Sequence, residues 1–274
     1  MIPMLKEFFG FGGYQREAEG FMSWQHLTFV TSLMIIMVVL AVVLGIKTRH
    51  KDIAAKNKVL IITALLMDGI ELVKIVMMCF AMNDPMHWRY NLPLFLCSIP
   101  LMAIPLAALS KGRLKEASLD FVFIFGVLCA VLGTYGASQN YAAYPVLSLD
   151  NVASGLTHTI SGFAALFIVI SGMQSMKRKN IPITFAIIGT FGAMAYIANL
   201  LIPYNYMFLM RHDGTPYKIL YDLVGGHPVI YPLSVMLLFV IYIAAFYGVY
   251  FLITRKSHNK STEVPVEDKI PETV

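Results

Sequence analysis

The sequence predicts an all-α, polytopic membrane bundle of seven transmembrane helices, with the N-terminus outside and the C-terminus cytoplasmic. Three observations carry this expectation. Of 274 residues, 58% are hydrophobic and 14% charged, whereas an ordinary soluble domain is about 25% charged. Seven apolar runs, at 24–46, 58–82, 92–110, 118–137, 153–174, 182–203 and 228–253, are long enough or nearly so to cross a hydrocarbon core of about 30 Å, which takes about 20 residues. The loop charges then alternate. The loops after runs one, three and five, with the tail, hold fifteen Lys and Arg, the opposite set holds five, and Lys74 lies inside the second run. The positive-inside rule turns that split into an orientation, and an even number of spans would break it.

The same charge pattern accounts for the net +5 without a nucleic-acid partner; the expected partners are membrane lipids. No soluble stretch is long enough for a separate domain. The three cysteines, Cys79, Cys97 and Cys129, all fall in apolar runs, and no CxxC or Cys/His zinc spacing appears, so neither a metal nor a cofactor is expected. No cleaved signal peptide is expected either: the first apolar run starts late, is long, and is followed by Lys47-Thr48-Arg49.

Taken in order, residues 1–22 read as an amphipathic extracytoplasmic lead, Gly-rich with Phe8, Phe9, Phe11, Tyr14 and Phe21, lying on the membrane surface. Residues 23–254 form the seven-helix domain. Residues 255–274, polar and carrying Pro265 and Pro271, read as a disordered cytoplasmic tail. Span 2 carries Asp68, Glu71 and Lys74 near mid-membrane. Steps of three keep them on one face, so Glu71 and Lys74 form a structural ion pair or, with Asp68, an ion or proton relay. Span 3 opens on Asn91-Leu92-Pro93-Leu94-Phe95-Leu96-Cys97-Ser98-Ile99-Pro100. Asn91 suits an N-cap and Pro93 a first helical turn. Pro100 and Pro105 cannot donate to the carbonyls of Leu96 and Leu101, and in lipid those carbonyls need protein or water. Cys97 is therefore either a small buried hydrophobe or a thiol in a partly hydrated interior.

With that orientation, five spans bring polar side chains to one outer layer. His26 opens span 1; Cys97 lies about 9 Å into span 3 at 1.5 Å per residue; His158 is similarly deep in span 5, behind an Asp150-Asn151 cap; Asn199 and Asn205 flank the outer end of span 6; His227-Pro228 opens span 7. Polar groups at membrane depth face the bundle interior and mark a site, while a histidine near the boundary, as His26 and His227 are, can equally be an interfacial anchor.

Leu92-Pro93-Leu94-x-Leu96-Cys97, the single His158 of span 5, and Asn205-Tyr206-Met207-Phe208-Leu209 resemble the YwaF-like family of bacterial integral membrane proteins. That family is similar to animal transmembrane acyltransferases acting on ether phospholipids. The resemblance implies an acyl-carrying nucleophile at Cys97 and a base at His158, and the early His26 and closing His227-Pro228 fit it as well, as substrate-side residues; chemistry adds Asn199 or Asn205 as oxyanion donors, because a tetrahedral intermediate needs them. The resemblance also singles out Cys97 alone among the thiols, so a Cys79–Cys97 disulfide is not expected. One departure is Phe95, where family members often have histidine. A thiol activated by an imidazole is suited to acyl transfer through a thioester, or to lipid-ester hydrolysis. The alternatives are a transporter or ligand-binding membrane protein using the Asp68/Glu71/Lys74 cluster, and a non-catalytic scaffold. An odd span count without an obvious repeat fits a two-fold transporter poorly.

Overall fold

The computed structural model describes residues 3–262. Among them every regular element is helical: α1 (Pro3–Phe9), α2 (Trp24–Thr48), α3 (Ile53–Ala81), α4 (Pro100–Leu109), α5 (Gly112–Tyr135), α6 (Ser138–Ala143), α7 (Leu149–Ile170), α8 (Ile181–Leu201), α9 (Lys218–Leu223) and α10 (Ile230–Thr262). Five of these, α2, α5, α7, α8 and α10, are long and apolar enough to cross a membrane. α3 has the length, 29 residues, but carries the charges already noted. The expected helix over 92–110 is broken. Residues 91–95 are non-helical, Leu96–Ser98 make one 3-10 turn, and only ten residues from Pro100 are α-helical. Pro100 thus occupies the first turn, where its missing N–H costs nothing, and Pro93 and Asn91 lie outside any helix. Leu96 O, expected to be stranded, accepts from Ile99 N at 3.4 Å and from Cys129 Sγ at 3.9 Å.

α5 and α7 form the centre, with α2 against α7 and α3 against both α4 and α7. Small residues bring the two central helices together. A Cβ on Gly126 would come within 2.7 Å of Ala165 Cβ and Ser161 O, and one on Gly162 within 2.7 Å of Ala130 Cβ. Such close backbone approach is how membrane helices gain packing where lipid removes the hydrophobic drive. α2 buries one stripe, His26, Val30, Met37, Ala41 and Gly45, and leaves Ile35, Ile36, Val39 and Val43 exposed on its other faces, as a lipid-facing helix does. Ser23, Asp52 and Ser148 cap α2, α3 and α7, their side chains accepting from His26 N, Ala55 N and Asn151 N. The α7 cap is therefore Ser148, not the Asp150-Asn151 pair, and those two residues lie inside the first turn.

The two ends of the bundle differ. One end has the short links 49–52 and 110–111 and the 171–180 loop, the loop organised by Asp120, which is 0% exposed. Its carboxylate accepts from Ser175 N (3.1 Å), Met176 N (2.8 Å), Asn180 Nδ2 (2.9 Å) and Tyr247 OH (3.0 Å). Four donors replace the water a buried carboxylate gives up. The other end holds the longer segments 82–99, 136–148 and 202–229, with the lead folded onto it: Glu19 Oε2 accepts from Val146 N at 2.7 Å, and Tyr14 packs edge-on to Tyr144. α10 continues to Thr262, past the expected end at 254. The remainder of the expected tail, 263–274, lies outside the described residues.

Candidate functional site

The break in the 92–110 segment leaves a cavity of about 190 Å³ at the long-loop end. Phe95, Leu96 and Cys97 form one wall, Leu128, Cys129, Leu132 and Gly133 of α5 another, and Met207, Phe208, Tyr217 and Phe239 close it. Apart from the two thiols and one phenol the lining is apolar. The Asn205–Leu209 segment shapes the closing wall. Met207 and Phe208 have φ of 53° and 55°, a left-handed conformation costing about 1–2 kcal/mol per non-glycine residue. The surroundings hold it in place. Asn199 Oδ1 accepts from Tyr206 N at 2.7 Å and its Nδ2 donates to Tyr206 O at 3.0 Å. Tyr206 OH donates to Arg89 O and accepts from Leu92 N, tying this wall to the loop before Cys97.

His158, on α7, stands behind the Gly133 wall of the cavity. Its Nδ1 lies 2.6 Å from the carbonyl oxygen of Ser154, one turn earlier. A carbonyl only accepts, so Nδ1 carries the proton, and in the neutral ring Nε2 then offers a lone pair. Nε2 is buried without a hydrogen-bond partner. It lies over Gly133, where a Cβ would come within 1.8 Å of ring Cδ2 and 2.1 Å of Nε2. Cys97 and Gly133 line the same cavity, so the thiol and the imidazole that lies over Gly133 share one neighbourhood, with no hydrogen bond between them. Catalytic hydrogen bonds are often poorly aligned in unliganded sites and tighten on substrate binding.

The other polar residues of the expected outer layer are not drawn into the cavity. His26 is 0% exposed; its Nδ1 accepts from Met22 N just before α2, and its Nε2 faces Thr134 O at 3.1 Å, fastening the start of α2 to the end of α5. His227 is exposed, and its Nδ1 accepts from Val229 N and Ile230 N at the start of α10. Asn205 donates through Nδ2 to Arg211 O and Asp213 Oδ2 while Oδ1 accepts from Met210 N. Its donors are engaged, and an oxyanion would find none free. Asn199 serves Tyr206. On α3, Lys74 Nζ lies 2.6 Å from Glu71 Oε1, with side chains 12% and 13% exposed. Asp68 Oδ1 is buried and unpartnered. The three cysteines are free, and Cys79 does not line the cavity.

Sequence reasoning missed Gly133, Ser154 and Cys129. A signal existed for two of them: Gly133 follows Gly126 by seven residues on one face of α5, and Ser154 precedes His158 by one helical turn. Cys129 gave none, being a thiol in an otherwise apolar run.

Residues 21–259 match the TMEM164 family, which together with the five apolar helices makes this a multi-pass membrane protein. No curated protein and no solved structure matches the chain.

Proposed function

We infer that this chain, which belongs to the TMEM164 family, is an integral-membrane acyltransferase or lipid-ester hydrolase that carries an acyl chain as a thioester on Cys97. The observation that supports this most is the state of His158. With Nδ1–H committed to Ser154 O and Nε2 buried and unpartnered beside the cavity that Cys97 lines, the imidazole is oriented as a base toward a thiol. The resemblance of the Leu92–Cys97 stretch to acyltransferase relatives points the same way. Phe95 packs against Tyr204, Tyr206 and Phe208 and contributes no proton chemistry, so in this reading proton transfer falls to His158 alone.

The thiol proton passes to His158 Nε2 as sulfur bonds to the ester carbonyl carbon. The tetrahedral intermediate expels the lysolipid alkoxide, which takes the proton from His158. An acceptor hydroxyl, or water in hydrolysis, then yields its proton to His158 and bonds to the same carbon; the C–S bond breaks and the thiolate recovers the proton. The apolar cavity receives the acyl chain, and the non-helical 91–95 segment leaves the entry. We place seven spans across the bilayer, α3 and the broken 92–109 segment joining the five long apolar helices, with the N-terminus outside and the cavity in the outer half.

Purified protein given a phospholipid donor should gain an acyl group on Cys97 that hydroxylamine removes at neutral pH. Cys97→Ala should lose it, and His158→Ala should slow its formation by about 10²–10⁴-fold, the range for general-base loss. Acylation that persists in Cys97→Ala, or a His158→Ala rate equal to wild type, would refute the assignment.

A further inference from the structure

The cavity holds two thiols, and acyl transfer uses one. Cys129 lines the same cavity as Cys97 and is 4% exposed. Its Sγ lies 3.9 Å from the carbonyl oxygen of Leu96, so it sits directly against the peptide that leads into Cys97. Cys97 in turn is held on a single 3-10 turn, Leu96–Ser98, preceded by non-helical chain and separated from α4 by Ile99. A turn of that length can adjust its backbone without unwinding a helix, and a disulfide needs Cα atoms within about 7 Å with convergent Cβ vectors. The apolar walls of Phe208, Phe239, Leu128 and Leu132 favour an apolar reagent over a hydrated one. His158 Nε2 supplies the base that a reacting Cys97 needs.

We propose that Cys97 and Cys129 are a reacting and a resolving thiol, and that the cavity is a reversible dithiol–disulfide site oxidised by apolar organic hydroperoxides. Cys97 thiolate, its proton on His158, attacks the outer peroxide oxygen. The O–O bond breaks, the alkoxide takes the proton from His158 and leaves as the alcohol, and Cys97 becomes a sulfenic acid. Cys129 sulfur then bonds to Cys97 sulfur. The hydroxyl leaves with the Cys129 proton as water. Two thiols and one hydroperoxide thus give one disulfide, one alcohol and one water, and a dithiol reductant returns the pair. If Cys97 also carries the acyl group, the disulfide switches acyl transfer off; that consequence alone rests on the acyltransferase reading.

The test uses the full chain in lipid nanodiscs with no acyl donor, so failure of the acyltransferase reading leaves it intact. Treatment with one equivalent of cumene hydroperoxide, followed by alkylation and non-reducing peptide mapping, should show Cys97 joined to Cys129, reversed by dithiothreitol. Cys79→Ser should leave the link unchanged. In Cys129→Ser, one equivalent should leave Cys97 as a sulfenic acid that dimedone traps, and an excess of hydroperoxide should carry it on to sulfinic and sulfonic acids. Wild type needs no variant to answer the question. Cys129 remaining alkylatable after oxidation, Cys97 over-oxidising in wild type as fast as in Cys129→Ser, or a link through Cys79 would each overturn the proposal.

Discussion

At the scale of single residues, the site depends on an absence of atoms. Gly133→Ala would place a methyl 1.8 Å from the His158 ring, and the ring must leave its Ser154 bond to make room. Overpacking of this kind costs about 1–3 kcal/mol, so a modest fall in melting temperature should accompany loss of Cys97 acylation. Gly189, with nothing within 4 Å of its would-be Cβ, is the control. Gly189→Ala should be neutral or stabilise by up to about 1 kcal/mol through helix propensity, with acylation unchanged. Asp120→Ala tests the opposite end. It strands the Ser175 and Met176 amide N–H groups, each costing about 1–3 kcal/mol when buried, while Asn180 Nδ2 keeps Ser175 Oγ and Tyr247 OH keeps Thr184 Oγ1, so the variant should melt well below wild type in detergent. Of the candidate site, Cys97 and His158 were legible as residue types at similar depth. Their common azimuth was not, because sequence spacing fixes position along a helix and leaves its rotation to packing. Asn199 and Asn205 looked alike on paper to catalytic donors. Only the left-handed turn at Met207 and Phe208, which needs two side-chain amides to hold it, explains why they are spent on backbone.

At the scale of elements, helices α2, α5, α7, α8 and α10 were readable because long apolar runs bounded by charge leave few alternatives. The break before α4 was half readable. Pro100 announced a defect, but whether it would kink a helix or begin one depended on Leu96 O finding donors, and of the two it has, Ile99 N and Cys129 Sγ, the second sits on another helix. α3 carries its own test. Lys74→Met alone strands Glu71 at low exposure, and breaking a buried pair costs about 3–5 kcal/mol. Lys74→Met with Glu71→Leu should recover most of the melting temperature. Equal losses in the single and double variants would show that Glu71 and Lys74 do not act as a pair.

At the scale of the whole molecule, the alternation of fifteen and five cationic residues remains the basis for orientation. Cysteines introduced into the 47–57 and 175–181 loops should resist a membrane-impermeant maleimide in intact cells and react after permeabilisation; labelling of intact cells would reverse the topology. The broken segment has a consequence for the bilayer itself. α4 has ten residues, about 15 Å of helix, against a core of about 30 Å, and it turns Met102 and Leu109 outward. Around that side the protein offers a short hydrophobic height, and the lipids beside it must thin or tilt at a cost of fractions of a kcal/mol per ångström of mismatch. If Cys97 carries the acyl group, its acylation should therefore run faster in bilayers of short-chain phosphatidylcholine than in long-chain ones at equal fluidity, with bilayer thickness itself setting the rate.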